Sequence, residues 1–334
     1  MRIAIAGAGV AGSYISRLLR LRGYRDVDVF DIRRRIACGI HPCGYGVDGS
    51  FDRLVRLVGL EPSRYVLHVP PRLVARVESV AARTTVVMID KPAFIADLLD
   101  RSDVKYEPIE VHRYDLVVDA TGEARAYAPP LENDLKARVV QWRVRVAGPS
   151  PTTFMPTRGV PGYAWIMPLS EDGAELHVGA GCGEGIKVRS RTLTSTAFKP
   201  LRIEQVVCAC GARIRLCGPD FTRIVHGNVW AVGEAAGLVG PASGAGNVYA
   251  MRSGLHLVNS LRNPCGYLER LERDFAALIP EARAVRKVLT GKLPGIRDLG
   301  HIRQGWSRAG VDVAWHDMPR LVLAMARAFL EPAA

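Results

Sequence analysis

Residues 2–12 read RIAIAGAGVAG, an apolar run leading into Gly7-x-Gly9-x-x-Gly12. The next stretch, SYISRLLRLRG at 13–23, repeats apolar residues at helical spacing, and DVDVFD at 26–31 reads as a second strand closing on Asp31. A lone glycine triplet says little. Between a strand and a helix, with a carboxylate ending the following strand, it specifies a βαβ dinucleotide cradle. Gly7, Gly9, Val10, Ala11 and Gly12 let the backbone approach a pyrophosphate at the positive end of the helix. Asp31 suits an adenosine ribose and disfavours a 2′-phosphate, which leaves FAD or NAD rather than NADP.

Two later stretches decide between them. DLVVDATGEAR at 115–125 is a buried strand followed by a small-residue turn at Ala120, Thr121 and Gly122. VWAVGEAAGLVGPASGAGNVYAMRSG at 229–254 is another strand, a turn at Gly233 and Glu234, and Gly244-x-Gly246 opening a helix. A nicotinamide cofactor has no use for a second glycine-rich helix start so far along the chain. FAD, with adenosine at one end and ribityl-isoalloxazine at the other, does. Glu234 would hydrogen-bond the ribityl hydroxyls, and the helix start near Gly246 would aim its partial positive charge at the flavin N1–C2 edge.

Together, the Gly7–Gly12 run, the Ala120–Gly122 turn and residues 232–254 resemble the FAD-dependent aromatic-hydroxylase superfamily over most of residues 1–262. HPCGYGV at 41–47 and PGYAWIMP at 161–168 resemble its geranylgeranyl reductase branch, whose members saturate prenyl double bonds of lipids, chlorophyll side chains or quinones. MIDKPAFIADLLDR at 88–101 is similar to that family's strand-to-helix step, with Lys91 where an arginine is usual. The resemblance implies FAD contacts at Cys43, Gly44, Gly46, Lys91, Glu234, Gly246 and Asn247. It also implies a prenyl cavity lined by Tyr163, Trp165 and Pro168, with Cys43 beside the flavin as proton donor or as a packing residue. Glu234 departs from the family's aspartate, Asn247 departs from its common isoleucine, and the chain is short.

The aromatic pair also has a physical reading. Tyr163 and Trp165, two residues apart on a strand, point to the same face and make a broad apolar wall suited to an isoprenoid. The plainer reading is two core aromatics under a sheet.

The 334 residues carry a net charge of +12, and 38 of the 45 basic residues are arginine. Such a surface suits phosphates or an anionic membrane, although genomic composition or surface ion pairs would account for it too. No zinc-finger spacing or RNA-binding signature appears, so nucleic acid is not an expected partner. The apolar runs are too short to span a bilayer and the chain opens directly on the glycine motif, so a cytoplasmic protein is expected, with peripheral membrane contact as the second option. Among the seven cysteines no paired CxxC occurs, so no metal site is expected; Cys208, Cys210 and Cys217 are the candidates for a disulfide.

The expected fold class is α/β: a Rossmann-like FAD-binding domain (1–137 and 218–262), an inserted antiparallel β-sheet substrate domain (138–217) and a C-terminal helical segment (263–334). In VVQWRVRV at 139–146, Gln141, Arg143 and Arg145 share one face, which is either solvated or a phosphate clamp. LERLERDFAALI and MPRLVLAMARAFL read as helices, the last amphipathic. The function expected first is FAD-dependent reduction of a polyprenyl lipid or quinone. No NAD(P)H site is evident, so an external donor, ferredoxin or an NAD(P)H system, would supply the electrons. The alternatives are a flavin monooxygenase or hydroxylase, a flavin halogenase, and a non-catalytic electron-transfer subunit.

Overall fold

A computed structural model describes residues 1–32, 43–100 and 102–330. Among them, the strands form three sheets. In the first, Ile3–Ala6 lies between Val27–Phe30 and Leu116–Asp119, parallel to both and in register Val27–Ile3–Leu116. All four residues of Ile3–Ala6 are buried, as expected for a parallel strand covered on both faces. Val104–Lys105 and Val229–Ala231 extend the sheet in parallel, and Val225–His226 closes one edge antiparallel. The helix Val10–Leu21 packs on this sheet and against the helices Lys91–Leu99 and Asn247–Val258. A Cβ on Gly254 would stand 2.8 Å from Ile15 Cγ1, so only glycine permits that helix approach. Ala6, Phe30, Asp119 and Ala231 end their strands at one edge, where ligands of open α/β sheets bind.

The second sheet runs in the order Ile203–Arg215, Lys136–Val146, Glu175–Gly183, Gly162–Pro168, Thr153–Pro156, Val74–Val77, Val80–Thr84, Val311–Asp312. It therefore draws on strands on both sides of the expected 138–217 insertion. Val74–Val77 and Val80–Thr84 form a hairpin with alternating burial, too small to cover its own apolar face. Parallel pairing of Arg76 and Val77 with Thr153 and Phe154 gives that face a core. Gly46–Val47, Val87–Ile89 and Val66–His68 make the third, small sheet, and Gly46 and the preceding Cys43 meet Asn247 at the start of the helix Asn247–Val258.

The class is thus the expected α/β one, a Rossmann-like domain joined to a largely antiparallel sheet. The carboxy-terminal part is helical, with helices Pro264–Phe275, Leu278–Leu289, Ile296–Arg308 and Met318–Leu330. Among the described residues no helix is long and apolar enough to cross a membrane. Of the three clustered cysteines, Cys208 is disulfide-bonded, whereas Cys210 and Cys217 are free thiols.

Candidate active site

The three glycines of the first turn are required for three different reasons. Gly7 adopts φ +100°, and a Cβ there would stand 2.4 Å from the Ala120 carbonyl oxygen. A Cβ on Gly12 would lie 1.9 Å from the Gly7 carbonyl oxygen, because helix and turn close on each other there. Gly9 meets nothing within 4 Å; its Cβ position opens into a cavity. Gly9 is also the N-cap of Val10–Leu21, with no side-chain cap and no acid in the first turn, so the helix's first N–H groups remain for an anion. Asp31 lines the same cavity, its Oδ2 accepting the Ala8 N–H at 3.1 Å and its Oδ1 the Ile32 N–H at 2.7 Å.

The Ala120–Gly122 turn is held by Asp119, which is fully buried. Its Oδ1 accepts from the Thr121 N–H (3.1 Å) and hydroxyl (2.6 Å), and its Oδ2 from the N–H groups of Tyr127 and Ala128. Behind the turn Arg215, only 2% exposed, grips Asp134 through Nε at 2.7 Å and Nη2 at 3.0 Å. It also donates to the carbonyls of Gly122, Glu123 and Glu234. Its backbone N–H donates to Glu234 Oε1 at 2.8 Å. Burial raises the Glu234 pKa, partly offset by that bond and by the Arg215 charge. Glu234 lines the cavity in reach of the Gly122 turn.

Gly246 caps Asn247–Val258, again with no side-chain cap, and the loop before it is clamped from the carboxy-terminal helices. Glu281 Oε1 accepts the Ala242 N–H at 2.8 Å, and Trp306 Nε1 donates to the Ala242 carbonyl at 3.1 Å. Cys43 sits opposite. Its sulfur accepts from the Tyr45 N–H and from Asn247 Nδ2, both at 3.4 Å. Lys91 starts the helix Lys91–Leu99, is 9% exposed and faces the cavity with no hydrogen bond or ion pair among the described residues.

The strand Gly162–Pro168 supplies the wall. Tyr163 and Trp165 share a face with ring centroids 5.7 Å apart. The Tyr163 hydroxyl donates to the Ser243 carbonyl, and Trp165 Nε1 reaches Gln141 Oε1 at 3.4 Å. The indole lies against Gly179, where a Cβ would come within 2.3 Å of the ring. Met167, next on the same face, reaches Gly44, whose absent Cβ would stand 1.9 Å from its sulfur. Pro168 is corrected. Strand parity turns it away with Ala164 and Ile166, it is buried, and it does not line the cavity. Gln141 is buried behind Trp165, Arg143 pairs with Glu175 and Arg145 is exposed, so the two arginines of that face form no clamp on the cavity.

His177 was not singled out by sequence. It is 1% exposed, edge-on to Tyr45 at 4.5 Å, with Nδ1 unpaired. Burial, then the Arg143 charge, lowers its pKa from 6.5 to about 3, against a raising hydrogen bond to the Cys43 backbone. The folded state therefore resists a proton that the unfolded chain accepts. Stability is full above pH 6.5 and falls as pH drops toward 3, by about 4 kcal/mol if the whole shift is realised. Chemical-denaturation midpoints measured across this window should slope for the native protein and less steeply for His177→Gln.

One cavity of about 1520 Å³ joins these groups. It is lined by Gly7, Gly9, Val10, Ala11 and Asp31 at one end and by Ala120, Thr121, Gly122 and Glu234 beside them. Cys43, Gly44, Gly46, Lys91, Tyr163, Trp165, Gly244, Gly246 and Asn247 line its middle. Gly12 and Gly233 do not line it: Gly12 serves helix–turn packing, and Gly233, at φ +54°, packs against Ala11 and Ala250. His41 and Pro42 of the Cys43 motif lie outside the described residues. Beyond Trp165 the cavity continues between Leu299, Trp306, Met318, Leu321 and Met325 of the carboxy-terminal helices, residues that no local motif marked. Ordinary small-molecule pockets span about 300–1,000 Å³, so this one has room for a dinucleotide and a second, apolar molecule. The cradle fits FAD: open backbone at Gly9, two uncapped helix starts, a carboxylate at each sugar position and a free cation between them.

No family model matches the chain. Uncharacterized protein MJ1182 of Methanocaldococcus jannaschii is 24% identical over 343 aligned positions, covering 86% of this chain and 92% of that protein. A geranylgeranyl bacteriochlorophyll reductase-like protein of Thermoplasma acidophilum superposes with a TM-score of 0.70 at 14% identity, covering 97% and 98% of the two chains. HpxO of Klebsiella pneumoniae, solved in complex with FAD, superposes with a TM-score of 0.63 at 14% identity over the whole of both chains.

Proposed function

We propose, from the premise that this chain has the fold of the geranylgeranyl reductase-like, FAD-dependent flavoproteins, that it is an FAD-dependent oxidoreductase that saturates isolated double bonds of a polyprenyl lipid or quinone. The observation that carries this reading is the single cavity. It runs from the Gly7–Gly12 cradle past Cys43 and Trp165 into an apolar extension between helices, a shape that suits a long hydrocarbon lying against a flavin.

When bound, FAD supplies two-electron hydride chemistry. The chain's residues would do the rest. Gly9, Val10 and Ala11 hold the pyrophosphate, Asp31 the ribose, and Glu234 the ribityl hydroxyls. Lys91 places a positive charge near the flavin. Tyr163, Trp165 and Met167 exclude water and lay the prenyl chain flat, as an unactivated alkene requires. Each saturated bond also takes up one proton. The Cys43 thiol lines the cavity with its sulfur held by Tyr45 and Asn247, which leaves the S–H hydrogen for the substrate.

Trp165→Ala removes the largest aromatic surface of the wall, and truncation at such an anchor typically costs about 2–4 kcal/mol. Prenyl-lipid affinity should fall by one and a half to three orders of magnitude, on the order of 1.4 kcal/mol per tenfold. FAD content should stay near normal, since the cradle lies elsewhere. The test of the reaction class is reoxidation of the reduced protein without oxygen, on adding polyprenyl lipid, with mass spectrometry detecting two added hydrogens per bond. Oxygen-dependent hydroxylated product with no anaerobic turnover would replace this reading with a hydroxylase.

A further inference from the structure

The cavity opens where its carboxy-terminal walls meet solvent. Leu293 and Leu330 both line it, yet they are 91% and 87% exposed. The two rims are close together. Leu289, at the start of one rim, stands 3.7 Å from the Cβ position of Gly183, and the Ala328 carbonyl, on the other, accepts the Gly159 N–H at 2.8 Å. Gly183 ends one strand and Gly159 lies in the turn just before its neighbour, whose Gly162 pairs with Cys182, so both rims sit at the same end of those two strands.

The outer face of the last helix continues the pattern. Leu321 and Ala328 turn inward, whereas Leu323 is half exposed and Leu330 almost wholly so. Arg320, Leu323, Arg327 and Leu330 fall at helical spacing on that outer face. Ile296, beside Leu293, is 80% exposed. Lys292, Arg297, Arg320 and Arg327 are exposed and make no ion pair among the described residues, whereas Lys287, Arg303 and Arg308 are all paired with acids. Exposed apolar side chains alternating with unpaired cations around the mouth of an apolar cavity match the interface of an anionic bilayer, apolar inside and negative at the headgroups. They do not match a protein partner, which would have to desolvate four uncompensated cations.

We propose that this rim docks the protein on an anionic membrane, so that a prenyl chain passes from the bilayer into the cavity without crossing water. The proposal rests on the lipid-substrate reading, and its test separates the two. The full FAD-loaded chain is sedimented with vesicles of equimolar phosphatidylglycerol and phosphatidylcholine, and with phosphatidylcholine alone. Binding is expected on the anionic vesicles only, and should weaken with salt. Arg320→Gln with Arg327→Gln should weaken partitioning roughly 20-fold, and Ile296→Gln with Leu323→Gln by a comparable factor. All four positions are solvent-facing and outside the cavity, so both double variants should fold and should reduce detergent-dispersed prenyl lipid at the native rate. Absence of vesicle binding, or binding that both double variants retain, overturns the docking surface. Turnover in detergent stands or falls separately: its loss in the native protein would refute the prenyl reading while leaving the vesicle result intact.

Discussion

Gly9→Leu should yield a folded protein that has lost its FAD. Gly9 has φ −75° and ψ −167°, a conformation open to any residue, so the backbone raises no objection. Its Cβ position has no neighbour within 4 Å because it faces the cavity, and a leucine there stands where the pyrophosphate would lie. A clash with a phosphate group has no soft way out, and the affinity loss should be at least about a hundredfold, roughly 3 kcal/mol. Gly12→Ala provides the contrast. Its Cβ would stand 1.9 Å from the Gly7 carbonyl oxygen, a backbone atom that cannot yield without opening the turn. That change should damage the fold itself, by about 1–3 kcal/mol or more. The measurements are flavin absorbance after reconstitution with excess FAD and the near-ultraviolet circular dichroism of each variant. A yellow Gly9→Leu protein would show that the pyrophosphate does not lie against Gly9 and would remove this turn as the phosphate cradle.

The pair of glycine outcomes also marks what sequence can and cannot convey. The strand–turn–helix order around Gly7, Gly9 and Gly12 is a local pattern, and local patterns set backbone geometry, so the Rossmann-like half was legible from the first residues. The same holds for the wall: period two puts Tyr163 and Trp165 on one face. Applied one step further, that rule also puts Met167 on the wall and turns Pro168, which the family resemblance implied as lining, away from it. What no period encodes is adjacency across the chain. The hairpin Val74–Thr84 joins a sheet built mostly of residues 136–215, and the Ala242 backbone is held by Glu281 and Trp306 from helices whose sequences read only as amphipathic. His177 sits on a strand where polar residues alternate with apolar ones, and its burial follows from Tyr45 packing over it rather than from its neighbours in sequence. Arg215 is the sharpest case. By composition it is one more arginine in an arginine-rich chain, and in the fold it is the arginine on which the turn beside the cavity is built.

Arg215→Leu should be among the most destabilising single substitutions available to this protein. The guanidinium is 2% exposed, pairs with both oxygens of Asp134 and satisfies the carbonyls of Gly122, Glu123 and Glu234. Leucine replaces its volume in part but leaves the carbonyls without donors and a half-buried carboxylate without its main partner. Breaking a buried pair from one side typically costs about 3–5 kcal/mol. Lys136 still lies 3.3 Å from Asp134, which places the expected loss toward the lower end. In a chain of this size that corresponds to a fall in Tm of roughly 4–7 °C. The pH dependence carries an independent signature. Burial alone would raise the Asp134 pKa, but the Arg215 hydrogen bonds and charge, with Lys136, hold it below the ordinary carboxylate value. That contribution is present above the unfolded carboxylate pKa and is lost as pH falls through the folded one. In Arg215→Leu the acid-side slope should shrink, and adding Asp134→Asn should recover part of the stability by removing the stranded charge. FAD retention should fall as well, because Glu234 and the Gly122 turn lose the group that fixes them against the cavity. If Arg215→Leu matches the native Tm and keeps its flavin, the arginine is a bystander in the turn, and Glu234 is positioned by something other than this network.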